Sequence, residues 1–118
     1  MNLNKLNRSI WLRSLAIMLV LAISGAPAVA QGPGWTSVST VVNIVNTANG
    51  GINVSLSPAL VDCVSQSGYG PAYASIYPDH PGISRIKADL LLAWQTGAKI
   101  QLYLTDNTCR VWETILSH

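Results

Sequence analysis

The hydrophobic patterning predicts a mainly β domain with one helix, in the order β-β-β-α-β-β, stapled by one disulfide. Three observations carry that expectation. Period-two runs rich in β-branched and aromatic residues occur before residue 78 and after residue 98. Between them, residues 83–96 repeat apolar side chains at helical spacing. Cys63 and Cys109 are the only cysteines in 118 residues.

The first thirty residues are set apart from the domain. Lys5, Arg8 and Arg13 give a positive start, "LAIMLVLAI" from Leu15 to Ile23 is an unbroken apolar run, and Ala28-Val29-Ala30 forms an A-x-A site. That arrangement predicts a cleaved secretory signal over 1–30. A spanning helix needs roughly 20 apolar residues, so stable membrane insertion after cleavage is not expected. The mature chain is expected to begin at about Gln31, to be secreted or periplasmic, and to have a flexible lead-in over 31–35 before a domain over 36–118. Cleavage removes three of the seven basic residues and leaves four against five acidic ones, a formal net charge of −1. No clustered positive face remains for a phosphate backbone, so nucleic acid is not an expected partner.

A mature chain of this size is one small domain, in the range where a core alone is marginal. An oxidising compartment then favours a Cys63–Cys109 bridge. Closing a loop of that length stabilises by about 4 kcal/mol in the chain-entropy model. The alternatives, a reactive thiol or half of a metal site, lack a neighbouring ligand at suitable spacing.

The first strand is expected in "SVSTVVNIVN", with Val38, Val42 and Ile44 on one face and Val41 and Val45 on the other. Asn49-Gly50 is a strong hairpin signal. "INVSLS" alternates, which places Ile52, Val54 and Leu56 inward and Asn53, Ser55 and Ser57 outward. Residues 58–71 carry Pro58, Gly68, Gly70 and Pro71 and read as a loop, with "ALVDCV" as a short strand extension. "AYASIY" is the third strand, with Tyr73, Ser75 and Tyr77 on one face.

In the helix, Ile83, Ile86, Leu90, Ala93 and Trp94 form the core stripe, widened by Leu91 and Leu92. Gly97 stands where a left-handed C-terminal residue is wanted. "AKIQLYL" then directs Ile100, Leu102 and Leu104 inward and Lys99, Gln101 and Tyr103 outward. "RVWETIL" closes the chain, with Trp112, Thr114 and Leu116 on one side and Val111, Glu113 and Ile115 on the other. A single short helix cannot cover both faces of five strands, so the sheet is expected to curl into a small OB-like barrel plugged by the helix.

The stretch Thr96-Gly97-Ala98-Lys99-Ile100-Gln101-Leu102-Tyr103-Leu104, with Cys63 and Cys109 placed around it, resembles small secreted bacterial proteins that share a "TGK-K-V-LYV"-like helix end. The layout is similar to the B subunits of AB-type toxins related to the subtilase cytotoxin and the typhoid toxin. That resemblance, which covers most of residues 36–116, implies an OB-fold subunit that assembles into a homo-oligomeric ring and binds glycans. Its motifs are structural, and no binding residue is carried over.

Asp79-His80 with Ser84 supplies residue types used in nucleophilic catalysis, but such triads assemble in space from separate elements, and no nucleophile-elbow pattern is present. Asp62, Asp79 and His80 show no recognised metal spacing. Neither metal nor cofactor is expected. Asn53-Val54-Ser55 matches a glycosylation acceptor but falls within a strand. Tyr69, Tyr73 and Tyr77 gather around Ser75, and Tyr103 points outward from the fourth strand. Such rings beside hydroxyls suit sugar stacking or protein contact, although strand preference alone also places aromatics there. Tyr73, Ser75, Tyr77 and Tyr103 are therefore the candidate binding residues. Trp35 and Trp112 read as core or rim packing. The functional expectation is a non-catalytic binding module for a glycan or another protein, or else a structural or accessory envelope protein recognised through an edge strand.

Overall fold

The computed structural model describes residues 31–118, and the expected export segment lies outside them. The chain forms β1 (Gly34–Trp35), β2 (Thr40–Asn46), β3 (Ile52–Ser57), β4 (Tyr73–Ile76), α1 (Ile83–Thr96), β5 (Lys99–Leu104) and β6 (Val111–Ser117). A single 3-10 turn lies at Gln66–Gly68. The strands make two antiparallel three-stranded sheets, in the orders β1-β5-β6 and β2-β3-β4.

The architecture is mainly β with one helix, as expected, but the closed five-stranded barrel is corrected to two sheets and six strands. The sheets meet at two isolated bridges, Ser39 with Ile100 (antiparallel) and Ser75 with Arg110 (parallel). Neither seam extends, for local reasons. β4 is only four residues long and is soon followed by Pro78, which has no N–H to donate to a ladder. A bulge between Val41 and Asn43 bends β2 just past the other bridge. The sixth strand comes from the expected lead-in, where Gly34 and Trp35 pair with Leu104 and Tyr103 of β5.

Two bulges also correct the face assignments. In β2 the extra residue brings Val41 into the core and Ile44 against it, while Val42 is exposed. In β6 the register shifts opposite Tyr103 and Leu104, so Val111 is buried and Trp112 is exposed. One inserted residue resets the period-two alternation beyond it. β5, which carries no insertion on its own side, follows expectation: Ile100, Leu102 and Leu104 are fully buried.

β3 is buried on both faces, so Asn53 and Ser55 are not outward as the alternation implied. The loop over 58–72 folds across them. No strand forms in "ALVDCV"; instead Leu60 and Cys63 turn into the core. The β2–β3 hairpin forms, with its turn set by Gly50 at φ +89° and by the Asn49 side chain, which accepts the Gly51 N–H at 3.0 Å. Gly51 is closely confined, because a Cβ there would lie about 3.0 Å from the Gln66 amide and the Ile76 carbonyl, and both would have to shift to admit one.

α1 buries Ile86, Leu90 and Ala93 and packs on β2, β5 and β6, so it spans both sheets. Gly97 adopts φ +73° and donates its N–H to the Ala93 carbonyl, the expected left-handed cap. The core stripe is narrower than expected. Trp94 is 59% exposed, and Leu91 and Leu92 are also exposed. Ile86, Leu90 and Ala93 make the buried contact, and a helix packed against strands on one side only buries a narrower arc than one inside a bundle.

The Cys63–Cys109 disulfide is formed. Breaking it in a Cys63→Ser/Cys109→Ser double variant should lower unfolding stability by about 2–4 kcal/mol, read from urea denaturation; an unchanged midpoint would show that the loop is held without it. The turn before Cys109 carries a pH-sensitive group. Burial works to raise the Asp106 carboxyl, but hydrogen bonds from Thr108 and Arg110, with the Arg110 charge, outweigh it and hold it below its ordinary value of 3.8. A depressed folded-state value means that its stabilisation is present above the unfolded value and is lost as pH falls through the folded one. The Thr108 amide signal in NMR should therefore titrate with a midpoint below 3.8, and a midpoint at or above it would contradict this account.

Candidate functional site

Strand alternation sends Lys99, Gln101 and Tyr103 of β5 to the outer face of the β1-β5-β6 sheet, because Ile100, Leu102 and Leu104 occupy the inner one. Tyr103 has Trp35 directly opposite on one side and Glu113 on the other. The result is a row of indole, phenol and carboxylate across three strands. The Trp35 and Tyr103 ring centroids are 5.3 Å apart with planes at 67°, a corner rather than a flat shelf. Trp35 is 41% exposed and Glu113 is exposed. The β6 bulge leaves Trp112, the chain neighbour of Glu113, exposed as well.

The corner is held from behind by Thr36, which is buried. Its N–H donates to the Leu102 carbonyl at 2.9 Å, and its hydroxyl accepts the Leu102 N–H at 3.0 Å. Its carbonyl accepts the Gln101 side-chain amide at 3.0 Å. These bonds fix the short β1 on β5 and so fix Trp35 beside Tyr103.

The four residues singled out from sequence do not converge. Tyr103 lies in the row just described. Tyr73 is half-buried in the other sheet, with its ring 6.0 Å from that of Tyr69. Tyr77 lies beneath Arg110, whose guanidinium carbon is 4.1 Å from the ring centroid. Ser75 is 1% exposed, and its hydroxyl is committed internally. It donates to the Asn53 side-chain carbonyl at 2.6 Å and accepts the Gln66 N–H at 2.8 Å. Asn53 in turn donates to the Gln66 carbonyl at 2.8 Å. Ser75 thus fastens the covering loop.

The Asp79-His80 pair is engaged at the seam between the sheets. Asp79 faces Arg110 at 3.4 Å. The Gly82 N–H donates to His80 Nδ1 at 2.9 Å, which leaves Nε2 as the protonated nitrogen that donates to the Trp112 carbonyl at 2.8 Å. The His80 ring also packs 4.7 Å from the Trp112 ring. Both imidazole nitrogens are bonded to backbone, and neither meets Ser84 or Asp79. Among the described residues, no three His, Cys, Asp or Glu side chains gather as a metal site would require.

Two depressions, one apolar and one mixed, lie away from this row. A cleft of about 530 Å³ at the C-terminal end of α1 is lined by Leu92, Ala98 and Leu116, with Lys99 beside them. A smaller notch of mixed polarity between β2 and α1 is lined by Val42, Asn43, Ile44, Asn46, Leu91 and Trp94.

Sequence reasoning missed Trp35 and Glu113 as members of the site. Trp35 stands in a Gly-Pro-Gly stretch that reads as a flexible lead-in, and Glu113 reads as one strand position among three, on a face shared with Val111 and Ile115. Their meeting depends on pairings to β5 that no local pattern encodes. Comparison of the chain with known protein families, with curated proteins and with solved structures finds no match.

Because Ser75 is buried between two partners, Ser75→Ala should cost about 1–3 kcal/mol of stability by leaving Asn53 and the Gln66 N–H short of a partner. A loss below a few tenths in denaturant unfolding would show that water replaces the hydroxyl.

Proposed function

We propose that this chain is an exported, non-catalytic binding module that takes a glycan on the outer face of the β1-β5-β6 sheet. The observation that carries the reading is the outer-face corner of exposed Trp35 and half-buried Tyr103, with the Glu113 carboxylate in the same cross-strand row. Aromatic faces bury the C–H surface of a sugar ring, and a carboxylate accepts its hydroxyls. Rings already held by strand pairing lose little entropy on binding. The disulfide supports an oxidising location, and no helix of the described residues is long and apolar enough to cross a membrane.

The two bridges support a finer reading of the fold. Following β2-β3-β4 through Ser75 and Arg110 to β6, then to β5, and back to β2 through Ser39 and Ile100, traces a circular order. That is an OB-like barrel opened along both seams. The resemblance to toxin B subunits adds a ring of identical chains to the proposal. Light scattering on the oxidised protein tests that part, because a monomer would remove it.

A second reading, a small envelope accessory protein recognised through an edge strand, is favoured by the notch of Val42, Ile44, Leu91 and Trp94 beside β2, which ends its sheet.

The glycan reading is tested by screening the oxidised protein against a broad glycan panel beside Trp35→Ala and Tyr103→Ala. Binding by the parent and a tenfold or greater loss in each variant is expected, in keeping with about 1.4 kcal/mol or more for a centrally placed ring. Silence across the whole panel would overturn the glycan reading and leave the edge-strand partner as the better one.

A further inference from the structure

Resting on the glycan-binding reading, we infer that the Trp35–Tyr103–Glu113 site selects sugars that carry a free amine, protonated to an ammonium group. The argument is one of charge. Glu113 is exposed, and among the described residues the ion pair joins Arg110 and Asp79, not Glu113. Arg110 is committed elsewhere, and Lys99 stands well along the strand. The Arg110 guanidinium lies over Tyr77 and faces Asp79. Lys99 shares the outer face but stands four residues along β5 from Tyr103, about 13 Å away at ~3.3 Å per strand residue. Glu113 therefore keeps an uncompensated negative charge beside Tyr103, with Trp35 on the far side of that ring.

Three ligand classes respond differently to that arrangement. An acidic sugar meets like charge at Glu113 and is disfavoured. A neutral sugar gains ring contact and ordinary hydroxyl bonds. An amino sugar gains the same contact, a charge-assisted hydrogen bond to the carboxylate that is roughly twice as strong as a neutral one, and attraction of the cation to the aromatic faces. The corner geometry suits this division. With planes at 67°, one ring can lie along the sugar while the other turns its face to a substituent. Gln101 stands two residues from Tyr103 on the same face. Its amide nitrogen is bonded to Thr36, which leaves its carbonyl oxygen to accept a sugar hydroxyl.

The test is calorimetric titration of the oxidised protein with a short glucosamine oligosaccharide and with its fully N-acetylated counterpart, at about pH 6 so that the sugar amines are protonated. The two ligands share a backbone and differ at the nitrogen, an ammonium group in one and a neutral acetamide in the other, so salt dependence and Glu113→Gln isolate the charge. The free-amine sugar should bind at least tenfold tighter, and the preference should shrink as salt is raised. In Glu113→Gln, which keeps size and polarity, the preference for the free-amine sugar should disappear. Equal or tighter binding of the N-acetylated sugar, or a preference that survives Glu113→Gln, would overturn this inference and leave the glycan reading standing. If neither these sugars nor any glycan of the wider panel binds, both fall. A lysine peptide binding more tightly than the amino sugar, and losing that binding on lysine acetylation, would overturn the sugar as the source of the ammonium group.

Discussion

The structure depends on one cross-link placed where its two sheets meet. Cys63 lies in the loop between β3 and β4, and Cys109 lies just before β6. The Ser75 N–H of β4 donates to the Cys109 carbonyl at 3.0 Å, and the Val64 N–H donates to the Thr108 carbonyl at 3.3 Å. A bridge at this point ties the covering loop, the last strand of one sheet and the last strand of the other into one junction. Neither three-stranded sheet has a ladder long enough to hold the other, since each seam consists of a single bridge. Cys109 itself sits at φ +66°, a conformation that disfavours a residue with a Cβ, and the junction keeps it there.

The junction explains why polar residues sit inside. Once the loop is held over the outer face of β3, Asn53, Ser55 and Ser75 lose their water. Unpaired, each would cost more than its hydrogen bonds return. Asn53, Ser75 and Gln66 answer one another instead, and among the described residues no buried side-chain polar atom lacks a partner. Gln66 reaches further, to the Ile76 carbonyl and to Asn49 in the hairpin. The second sheet is thereby closed on its outer side, which leaves the β1-β5-β6 sheet with the open aromatic face.

That open face is shaped by a bulge. Without the extra residue in β6, Trp112 would lie on the inner side with Thr114 and Leu116. With it, Trp112 and Glu113 are both exposed, and the Trp112 carbonyl meets His80 at the entrance to α1. Bulges re-aim side chains at the cost of one unpaired residue, and here the re-aimed residue is Trp112, the chain neighbour of Glu113. His80, which with Asp79 and Ser84 supplies residue types used in catalysis, instead joins Arg110 in clamping the loop before α1 onto the start of β6.

Local pattern determined much of this protein. The β-rich composition, the helix over 83–96 with its Gly97 cap, the inward Ile100, Leu102 and Leu104, the hairpin before Ile52 and the pairing of the two cysteines all follow from periodicity, turn chemistry and cysteine count. These are properties of neighbouring residues, so neighbouring residues reveal them. Tertiary structure decided the rest. Alternation misplaced Val42 and Trp112 because an inserted bulge residue leaves no mark in the hydrophobic pattern. It misplaced Asn53, Ser55 and Ser75 because burial under a distant loop is not a property of the strand. It counted Trp94, Leu91 and Leu92 as core because helical spacing gives the direction of a stripe but not its width. Trp35, Tyr103 and Glu113 stand together only because β1 and β6 both pair with β5, across separations of 68 and 10 residues, and a contact over such distances is chosen by the whole fold.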